Sequence, residues 1–340
     1  MRKSFLPVLA MGIVMAFVGG CNSNSDSSSS TGSTSTASAD KKTDSGGSVE
    51  VAFETNNISD YWNLAKAGTE KAQKDTPGIT VDFKEPADGQ VDDQTKDVND
   101  LVSRGVKAIA ISPVKPDDET PLINDLVKKG IVVITQDSDA PNSDRTCYIG
   151  TNNVDAGKLA GEAIKKAIPG GGNIMVFVGK KDAQNAKERL EGVQDALKGS
   201  NVKIVDVRTD DADHTRAKQN VSDTLVGHPE VNCLVGLWSY NGPMILSAVK
   251  DAKREGKIKI VCFDGDPDTI QGLKDGFIDA TVVQQPYMFG QKAVQLMAQI
   301  LKGDKSGIPA SKQIFFPAQT ITPATIAKYE ADQKALMAGG

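Results

Sequence analysis

The sequence predicts an α/β fold in which two doubly wound, Rossmann-like lobes are each built on a parallel sheet. The chain has 340 residues, which is more than one ordinary core accommodates. From Val49 onward, short apolar runs alternate with stretches of helical periodicity, the pattern of βαβ units in a parallel sheet. The alternation comes in two successive groups, which indicates two sheets rather than one large sheet.

The first group contains short apolar runs bounded by polar or turn-forming residues. They predict strands at Val49–Phe53, Ile79–Phe83, Val106–Ser112, Ile131–Thr135 and Cys147–Ile149. The segments between them predict helices at Trp62–Asp75, Asp92–Arg104 and Pro121–Lys129. Gly105 and Gly130 each follow a helix and precede a strand, where glycine favours helix termination.

The second group opens with a predicted helix at Asp155–Ala167, closed by a Pro-Gly-Gly-Gly turn. Its predicted strands are Asn173–Gly179, Val202–Val207, Val231–Leu237, Ile258–Phe263 and Ile278–Val283. Its predicted helices are Asn185–Leu197, His214–Val226, Pro243–Glu255 and Pro267–Lys274. A further helix at Met288–Leu301, an extended tail at Ile314–Ile321 and a helical end at Pro323–Met337 come next. Because these come after the second group, we expect the chain to cross between lobes more than once, which favours hinge closure around a ligand.

The N-terminus predicts export. Residues 1–20 combine a positive start, an apolar run at Phe5–Val18 and small residues before Cys21. The apolar run is shorter than the roughly 20 residues that span a bilayer, so cleavage is the better interpretation. The segment resembles a bacterial lipoprotein signal, which implies a lipidated Cys21 and a membrane anchor in the periplasm or at the cell surface. A plain secretory signal with an incidental cysteine is the alternative. Residues 21–48 are mostly small and polar, which predicts a disordered tether.

Three cysteines remain after Cys21. They are Cys147, Cys233 and Cys262, so at least one is unpaired. Cys233 and Cys262 each lie in an apolar strand, where a free cysteine behaves as a small hydrophobic residue. A disulfide between them stays open as an alternative if their strands are neighbours, because the sequence does not give the separation of their Cα atoms.

The residues after the strands disfavour several function classes. The first strand is followed by residues 54–60, which contain no glycine, so a dinucleotide-binding turn is not expected there. His214 and His228 have no nearby partner at metal-ligand spacing. The run from Asp264 to Asp268 resembles the start of a calcium loop but lacks its glycine and its closing glutamate. We therefore expect no metal, no cofactor and no catalysis. The net charge of −5 and the lack of a clustered basic face predict no binding of nucleic acid.

Polar side chains gather where the predicted strands end. The central stretch is Lys259–Gly290, in which Asp264 and Gln284 each close an apolar strand. The carboxyl ends of parallel strands form the ligand-binding edge of an open α/β sheet. Planar carboxylate, amide and guanidinium groups bond vicinal hydroxyls, and aromatic rings cover the C–H faces of a sugar. The predicted ligand-binding residues are Tyr61, Trp62, Asp137, Ser138, Arg189, Asn241, Asp264 and Gln284.

At these residues the sequence resembles the periplasmic pentose- and hexose-binding proteins, the ribose- and galactose-binding group related to LacI-type effector domains. The resemblance runs from about Val49 to Phe316. It is carried by residues 105–113, Ile131–Asp139, Glu188–Gly192, Val261–Asp268 and Ala280–Pro286.

The resemblance implies a type I periplasmic binding protein: a monomeric solute receptor with a three-segment hinge that delivers a sugar or polyol to the permease of an ABC importer. It places chain crossings near Gly150, Gln284 and Ile314. The N-terminal lobe would then comprise residues 49–150 and 285–314, and the C-terminal lobe residues 151–284 and 315–340.

Two departures from the ribose-binding pattern leave the ligand open. Where ribose binders have Asp-Arg, this chain has Asp137-Ser138-Asp139, which is similar to the receptor for the autoinducer-2 furanosyl diol. The first loop reads Ser59-Asp60-Tyr61-Trp62 rather than Asn-Pro followed by two aromatic residues. A receptor that passes such a signal to a chemoreceptor or sensor kinase is therefore the alternative. A repressor is disfavoured because a signal segment stands where a DNA-binding domain would be. A glycosidase needs two carboxylates facing one bond, and the mixed polar set suits static binding better.

Overall fold

Twelve strands and ten helices make up the part of the chain that the computed structural model describes, residues 48–87 and 89–338. The strands are β1 (Val49–Glu54), β2 (Ile79–Lys84), β3 (Ala108–Ile111), β4 (Val132–Gln136), β5 (Cys147–Gly150), β6 (Gly172–Val178), β7 (Val202–Thr209), β8 (Val231–Gly236), β9 (Lys259–Phe263), β10 (Ala280–Val283), β11 (Gln313–Phe315) and β12 (Gln319–Ile321). The helices are α1 (Tyr61–Asp75), α2 (Val91–Ser103), α3 (Pro116–Lys128), α4 (Asn153–Ala167), α5 (Gln184–Leu197), α6 (His214–Gly227), α7 (Asn241–Asp251), α8 (Pro267–Lys274), α9 (Pro286–Leu301) and α10 (Ile326–Ala338). The predicted signal segment, the lipidated Cys21 and the predicted tether up to residue 47 lie outside the described residues.

The strands form two six-stranded sheets. The first has the order β11-β5-β4-β3-β1-β2 and is parallel throughout. The second has the order β12-β10-β9-β8-β6-β7, and only its edge strand β12 is antiparallel. Helices flank both sheets, so the predicted fold class of two doubly wound lobes is confirmed.

Central strands such as β3 and β10 are buried along their whole length because helices cover both faces of each sheet, whereas the edge strands β2 and β7 carry charged and partly exposed residues. In β3, Ala108 and Ala110 join the cluster under α1 and α9, whereas Ile109 and Ile111 point to the opposite cluster with α2 and α3. The second sheet repeats this division in β9. Continuous apolar runs, rather than alternating ones, are therefore what the fold requires.

The chain passes between the two sheets three times, after β5, after β10 and after β11. The sequence predicted one extended tail at Ile314–Ile321, but this segment is split into β11 and β12, which belong to different sheets. Pro317 stands between them and has no backbone N–H with which to continue a ladder. The residue-level boundaries of the two lobes given above stay a prediction.

Helix α3 begins five residues earlier than predicted. It starts at Pro116, and Pro121, the predicted start, lies inside the helix. Proline is favourable at the first helical position because its fixed φ suits the helix and its missing N–H would have no intrahelical acceptor. Asp117, Asp118 and Glu119 in the first turn add favourable charge at the positive end of the helix dipole.

The disulfide left open by the sequence is absent, because Cys147, Cys233 and Cys262 are all free and buried. Strands β8 and β9 are neighbours, but Cys233 is opposite Lys259, three residues from Cys262. The two thiols also join clusters on opposite faces of the sheet.

Among the helices of the described ranges, none combines the length and the apolar character needed to cross a membrane.

The carboxyl group of Glu54, at the end of β1, is buried, and its two oxygens have no hydrogen-bond partner among the described residues. Burial raises the pKa of Glu54 to about 9 from 4.5, with nearby Asp97 adding to the rise and Lys84 opposing it. The folded state therefore binds more protons than the unfolded state between these values. This group's contribution to the free energy of unfolding falls as pH rises through that window.

Replacing Glu54 with glutamine is therefore expected to raise the free energy of unfolding at pH 7 by about 2–3 kcal/mol and to flatten its pH dependence. Urea unfolding at pH 5, 7 and 8.5 measures both effects. The exposed Glu85 offers a matched control, and Glu85→Gln should change stability by no more than about 0.5 kcal/mol. Equal stability of wild type and E54Q at every pH would show that Glu54 is not held neutral.

Candidate functional site

Two aspartates occupy equivalent places in the two lobes. Asp137 directly follows β4 and Asp264 directly follows β9, and their φ angles are 58° and 66°. Their backbone N–H groups donate to carbonyl oxygens of the next strand, Asp137 to Ile149 at 3.1 Å and Asp264 to Val282 at 2.8 Å. Left-handed backbone is unfavourable for most residues but tolerated by aspartate, and it turns both side chains out of their strands at the sheet edge.

Both aspartates line one cleft between the lobes, which contains about 310 Å³ of space not filled by protein atoms. The first lobe contributes Asn56, Asn57, Ser59, Tyr61, Trp62 and Asp137. The second lobe contributes Asn185, Arg189, Trp238, Ser239, Tyr240, Asp264 and Gln284. Six of the eight predicted ligand-binding residues are thus brought together: Tyr61, Trp62, Asp137, Arg189, Asp264 and Gln284.

Arg189 lies at the centre of the electrostatics of this cleft. Helix α5, which carries Arg189, packs closely on α4. The carbonyl oxygen of Arg189 lies so near Gly157 of α4 that a Cβ at Gly157 would collide with it. Its Nε donates to Asn153 Oδ1 at 2.9 Å and its Nη1 to the carbonyl oxygen of Leu237 at 2.7 Å. The guanidinium carbon lies 4.6 Å from the centre of the Phe263 ring. The remaining nitrogen, Nη2, is buried and has no partner within the described chain.

Burial and the charge of Arg189 shift the pKa values of the two carboxyl groups in opposite directions. Burial raises the pKa of Asp264 to about 6, Arg189 lowers it, and the charge of Asp137 raises it further. Burial likewise raises the pKa of Asp137, opposed by Arg189 and by hydrogen bonds from Tyr61, Ser112 and Asn185. Desolvation thus makes each carboxylate a strong acceptor that additional hydroxyl donors would stabilise.

Asp137 is also where the lobes touch across the cleft. Tyr61 Oη, on α1, donates to Asp137 Oδ1 at 2.8 Å. From the other lobe, Asn185 Nδ2 donates to Asp137 Oδ2 at 3.0 Å, while Asn185 Oδ1 accepts a hydrogen bond from Trp238 Nε1 at 3.3 Å. A molecule that enters the cleft between the lobes therefore competes with the Asn185–Asp137 hydrogen bond.

Two further polar atoms on the cleft wall have no partner in the described part of the chain. Gln284 Nε2 donates to the carboxylate of Asp264 at 3.2 and 3.3 Å, and this leaves Gln284 Oε1 buried and unbonded. The hydroxyl of Ser239 is buried and unbonded as well. The wall therefore has three buried groups without a partner. Arg189 Nη2 is a donor, Gln284 Oε1 is an acceptor, and the Ser239 hydroxyl can do both.

Ser138 and Asn241 are not on the cleft wall, although the sequence predicted direct ligand contacts for them. Asn241 Oδ1 accepts a hydrogen bond from the backbone N–H of Trp238 at 2.9 Å, and its Nδ2 donates to Asp210 Oδ2 at 3.4 Å. Its amide therefore holds the turn between β8 and α7. Ser138 is buried behind the wall, where its backbone N–H donates to the carbonyl oxygen of Gln136 at 2.6 Å.

Seven wall residues were not among the predicted set. They are Asn56, Asn57, Ser59, Asn185, Trp238, Ser239 and Tyr240. Asn185 had a usable signal, because it precedes Arg189 by four residues and so shares its helix face. Ser239 and Tyr240 follow β8 at the same sheet edge that gave Asp264. The asparagines after β1 had only their position as a signal.

The tryptophan predicted to stack on a ligand is largely a core residue. Trp62 is 2% exposed, and its ring meets Phe53 edge-on at 6.4 Å between centroids. Its Nε1 donates to Asn57 Oδ1 at 3.2 Å, which fixes an asparagine of the wall. In the residues that the structure covers, no group of three or more histidine, cysteine or acidic side chains is arranged to hold a metal ion.

Comparison with known proteins places this geometry among related folds. The sequence profile of the Periplasmic binding protein domain matches residues 49–305. The ribose import binding protein of Salmonella typhimurium is 32% identical over 210 residues, which cover 61% of this chain and 70% of that protein.

Two solved structures resemble the whole two-lobed body. An ABC transporter solute-binding protein from Burkholderia graminis, solved in complex with D-arabinose, is 30% identical with a TM-score of 0.78, covering 84% of this chain and 98% of that one. The XylFII–LytSN complex contains a chain that is 30% identical with a TM-score of 0.75, covering 82% of this chain and 98% of that one.

Proposed function

The chain belongs to the periplasmic binding protein family, and from that premise we propose that it binds a sugar or related polyol between its two lobes and delivers it to the permease of an ABC importer. Tyr61, Asp137, Arg189, Asp264 and Gln284 would contact the ligand directly, and Trp62 would support the wall from the core behind it. We further propose that the protein acts as a monomer outside the cytoplasm and is anchored to a membrane through a lipidated Cys21.

The observation that carries the proposal is the set of buried polar atoms without partners on one wall. Arg189 Nη2 can only donate, Gln284 Oε1 can only accept, and the Ser239 hydroxyl does both. Sugar hydroxyls also donate and accept, so a ring with several hydroxyls carries the donors and acceptors that these three atoms lack. A buried polar atom left unbonded costs about 1–3 kcal/mol, so a molecule that bonds all three gains affinity and selectivity.

The carboxylates and aromatic rings of the same wall complete the match. Asp137 and Asp264 would accept hydrogen bonds from further hydroxyls, and the rings of Tyr61 and Trp238 would cover C–H faces. The D-arabinose bound by the Burkholderia graminis protein and the ribose in the name of the Salmonella typhimurium relative support a monosaccharide as the ligand class.

We propose binding without chemistry. Both carboxyl groups feel the charge of Arg189, and each accepts hydrogen bonds from neighbouring side chains. This is a static arrangement, whereas glycoside hydrolysis needs one carboxyl kept as an acid opposite the other. Incubating the protein with each bound sugar and analysing the sugar by chromatography should return it unaltered. Any turnover that disappears in an Asp264→Asn variant would contradict this.

A fluorescence titration tests the proposed ligand class. The chain has two tryptophans, Trp62 and Trp238, and both line the cleft. A sugar that binds there should change the intrinsic emission saturably, and X-ray scattering should show a more compact protein with ligand than without. Pentoses, hexoses, inositols and autoinducer-2 form the panel, with cyclohexanol as the matched ring that lacks vicinal hydroxyls. Absence of a response to every hydroxylated ring would contradict the proposal.

A signalling receptor is the second candidate, in which the same cleft takes an autoinducer-2-like furanosyl diol or a sugar signal and the protein reports to a chemoreceptor or sensor kinase. It is favoured by the similarity to the XylFII chain, which was solved in complex with LytSN. Reconstitution separates the two. An importer partner should show sugar-dependent stimulation of its ATPase by this protein, and a sensor partner should bind the liganded protein without transporting the sugar.

A further inference from the structure

A second, larger cavity adjoins the proposed sugar cleft. It contains about 1330 Å³ of space not filled by protein atoms, including space open to solvent, against about 310 Å³ for the cleft on the same basis. The two share four wall residues: Tyr61, Ser239, Asp264 and Gln284. A molecule held by Asp264 and Gln284 in the cleft is therefore next to this second open space.

The chemistry of the second cavity differs from that of the cleft. Much of its wall is apolar and comes from both lobes: Leu64, Pro267, Ile270, Val283, Pro286 and Tyr329. Charged side chains from Asp60, Asp266, Glu330 and Lys334 also line it. The apolar part of this wall matches a hydrocarbon or aromatic group better than the hydroxyls of a second sugar ring.

Helix α10 supplies one side of this cavity and closes it against α8. Tyr329 packs so tightly over Gly265 that a Cβ on that glycine would collide with the tyrosine hydroxyl. Lys274 Nζ also forms an ion pair with Glu330 Oε1 at 2.5 Å, which joins α8 to α10. Gln333 Oε1, on the same wall, is buried and unbonded within the described ranges. Gln333 Oε1 is thus a free acceptor on the side of the cavity away from the cleft.

Resting on the proposed function, we infer that the ligand is a glycoside. Its sugar ring occupies the cleft, and a largely apolar aglycone, joined through an oxygen near Asp264 and Gln284, occupies the second cavity. The aglycone buries its surface against Leu64 and Ile270, and a polar hydrogen on it reaches Gln333 Oε1. A bare monosaccharide fills the cleft and leaves these apolar walls uncovered.

The test compares a parent sugar that binds in the fluorescence titration with its methyl and phenyl glycosides, as both anomers. We expect one phenyl glycoside to bind at least tenfold more tightly than the parent sugar, because a phenyl ring buries enough apolar surface for a gain of that size. The methyl glycoside should bind about as tightly as the parent. Phenyl glycosides that bind no more tightly than the parent, or are rejected, would overturn the inference and leave the proposed function standing.

Variants at Leu64 test whether the second cavity is the source of the tighter binding of the phenyl glycoside. Leu64 is half-buried on α1 and lines the second cavity but not the cleft. Leu64→Asp places a charge against the proposed aglycone and should remove most of the preference for the phenyl glycoside while parent-sugar affinity stays within about twofold. Leu64→Ala only removes apolar contact and should reduce the preference by a smaller factor. Gln333→Asp places the same charge on the α10 side of the cavity and should act in the same way if Leu64→Asp folds poorly. An undiminished preference in both aspartate variants overturns the assignment of this cavity. If neither parent sugars nor glycosides bind the wild type, the proposed function itself fails.

Discussion

Replacing Trp62 with alanine is expected to lower the free energy of unfolding by about 3–5 kcal/mol, the usual range for removing a buried aromatic side chain. The ring is 2% exposed and packs with Phe53, Ala65 and the apolar side chains of α9 in the core of the first lobe. It also meets Tyr61 edge-on at 4.8 Å. Its loss leaves a cavity that the helix α1 backbone cannot close, and urea unfolding followed by circular dichroism measures the effect.

Trp62→Phe separates packing from hydrogen bonding in this experiment. Phenylalanine keeps most of the buried surface but leaves Asn57 Oδ1 without the donor at 3.2 Å, so a cost of about 1–2 kcal/mol is expected. If Trp62→Ala instead weakened sugar binding and left the free energy of unfolding unchanged, the ring would be a ligand-stacking surface, as the sequence predicted, and not a core residue.

The fold was predictable because its central strands are buried on both faces. A run such as Ala108–Ile111 is apolar at every position, and such runs separated by helical segments have few alternatives to a parallel sheet. The break at Pro317 was harder to predict, because a proline shows where a ladder of hydrogen bonds stops but not that the next strand joins another sheet.

The site was predictable to the extent that it lies at strand ends. Asp264 and Gln284 close neighbouring parallel strands, so their proximity results from topology. Asn241 also follows a strand, but a residue at a helix start can turn its amide back to the preceding turn, as its bond to Trp238 shows. Side-chain direction in such turns depends on backbone angles that residue identity does not specify.

The contacts across the cleft could not be predicted from the sequence. The Asn185–Asp137 hydrogen bond joins residues 48 positions apart on different lobes, and it exists only through the relative placement of the two sheets. The same holds for the second cavity, whose walls come from α1, α8 and α10. Local propensity and periodicity carry no information on such distances.

Replacing Asp264 with alanine is expected to weaken sugar binding by about 2–4 kcal/mol, which is roughly 30- to 1,000-fold in affinity. The change removes a desolvated carboxylate that accepts hydroxyl hydrogen bonds, and it leaves Gln284 Nε2 without the acceptors it has at 3.2 and 3.3 Å. Because Asp264 has a φ of 66°, alanine there also adds backbone strain of about 1–2 kcal/mol to the folded state. Isothermal titration with a bound sugar measures the affinity, and thermal unfolding measures the strain.

Two further variants isolate the charge from the shape and the strain. Asp264→Asn keeps the size and the tolerance for left-handed backbone, so its loss of affinity should fall between those of wild type and Asp264→Ala. Asp268→Ala removes an exposed aspartate four residues further along the chain and should leave the affinity unchanged.

The pH dependence provides an independent check on the same carboxylate. The pKa of Asp264 is raised to about 6 by burial, and hydroxyl donors bind its ionised form more strongly than its protonated form. Sugar affinity should therefore be constant above pH 7 and fall as pH drops through 6, and this step should be missing in Asp264→Asn. Equal affinities of wild type and Asp264→Ala across this range would show that the ligand does not touch Asp264, and the cleft between the lobes would no longer be the binding site.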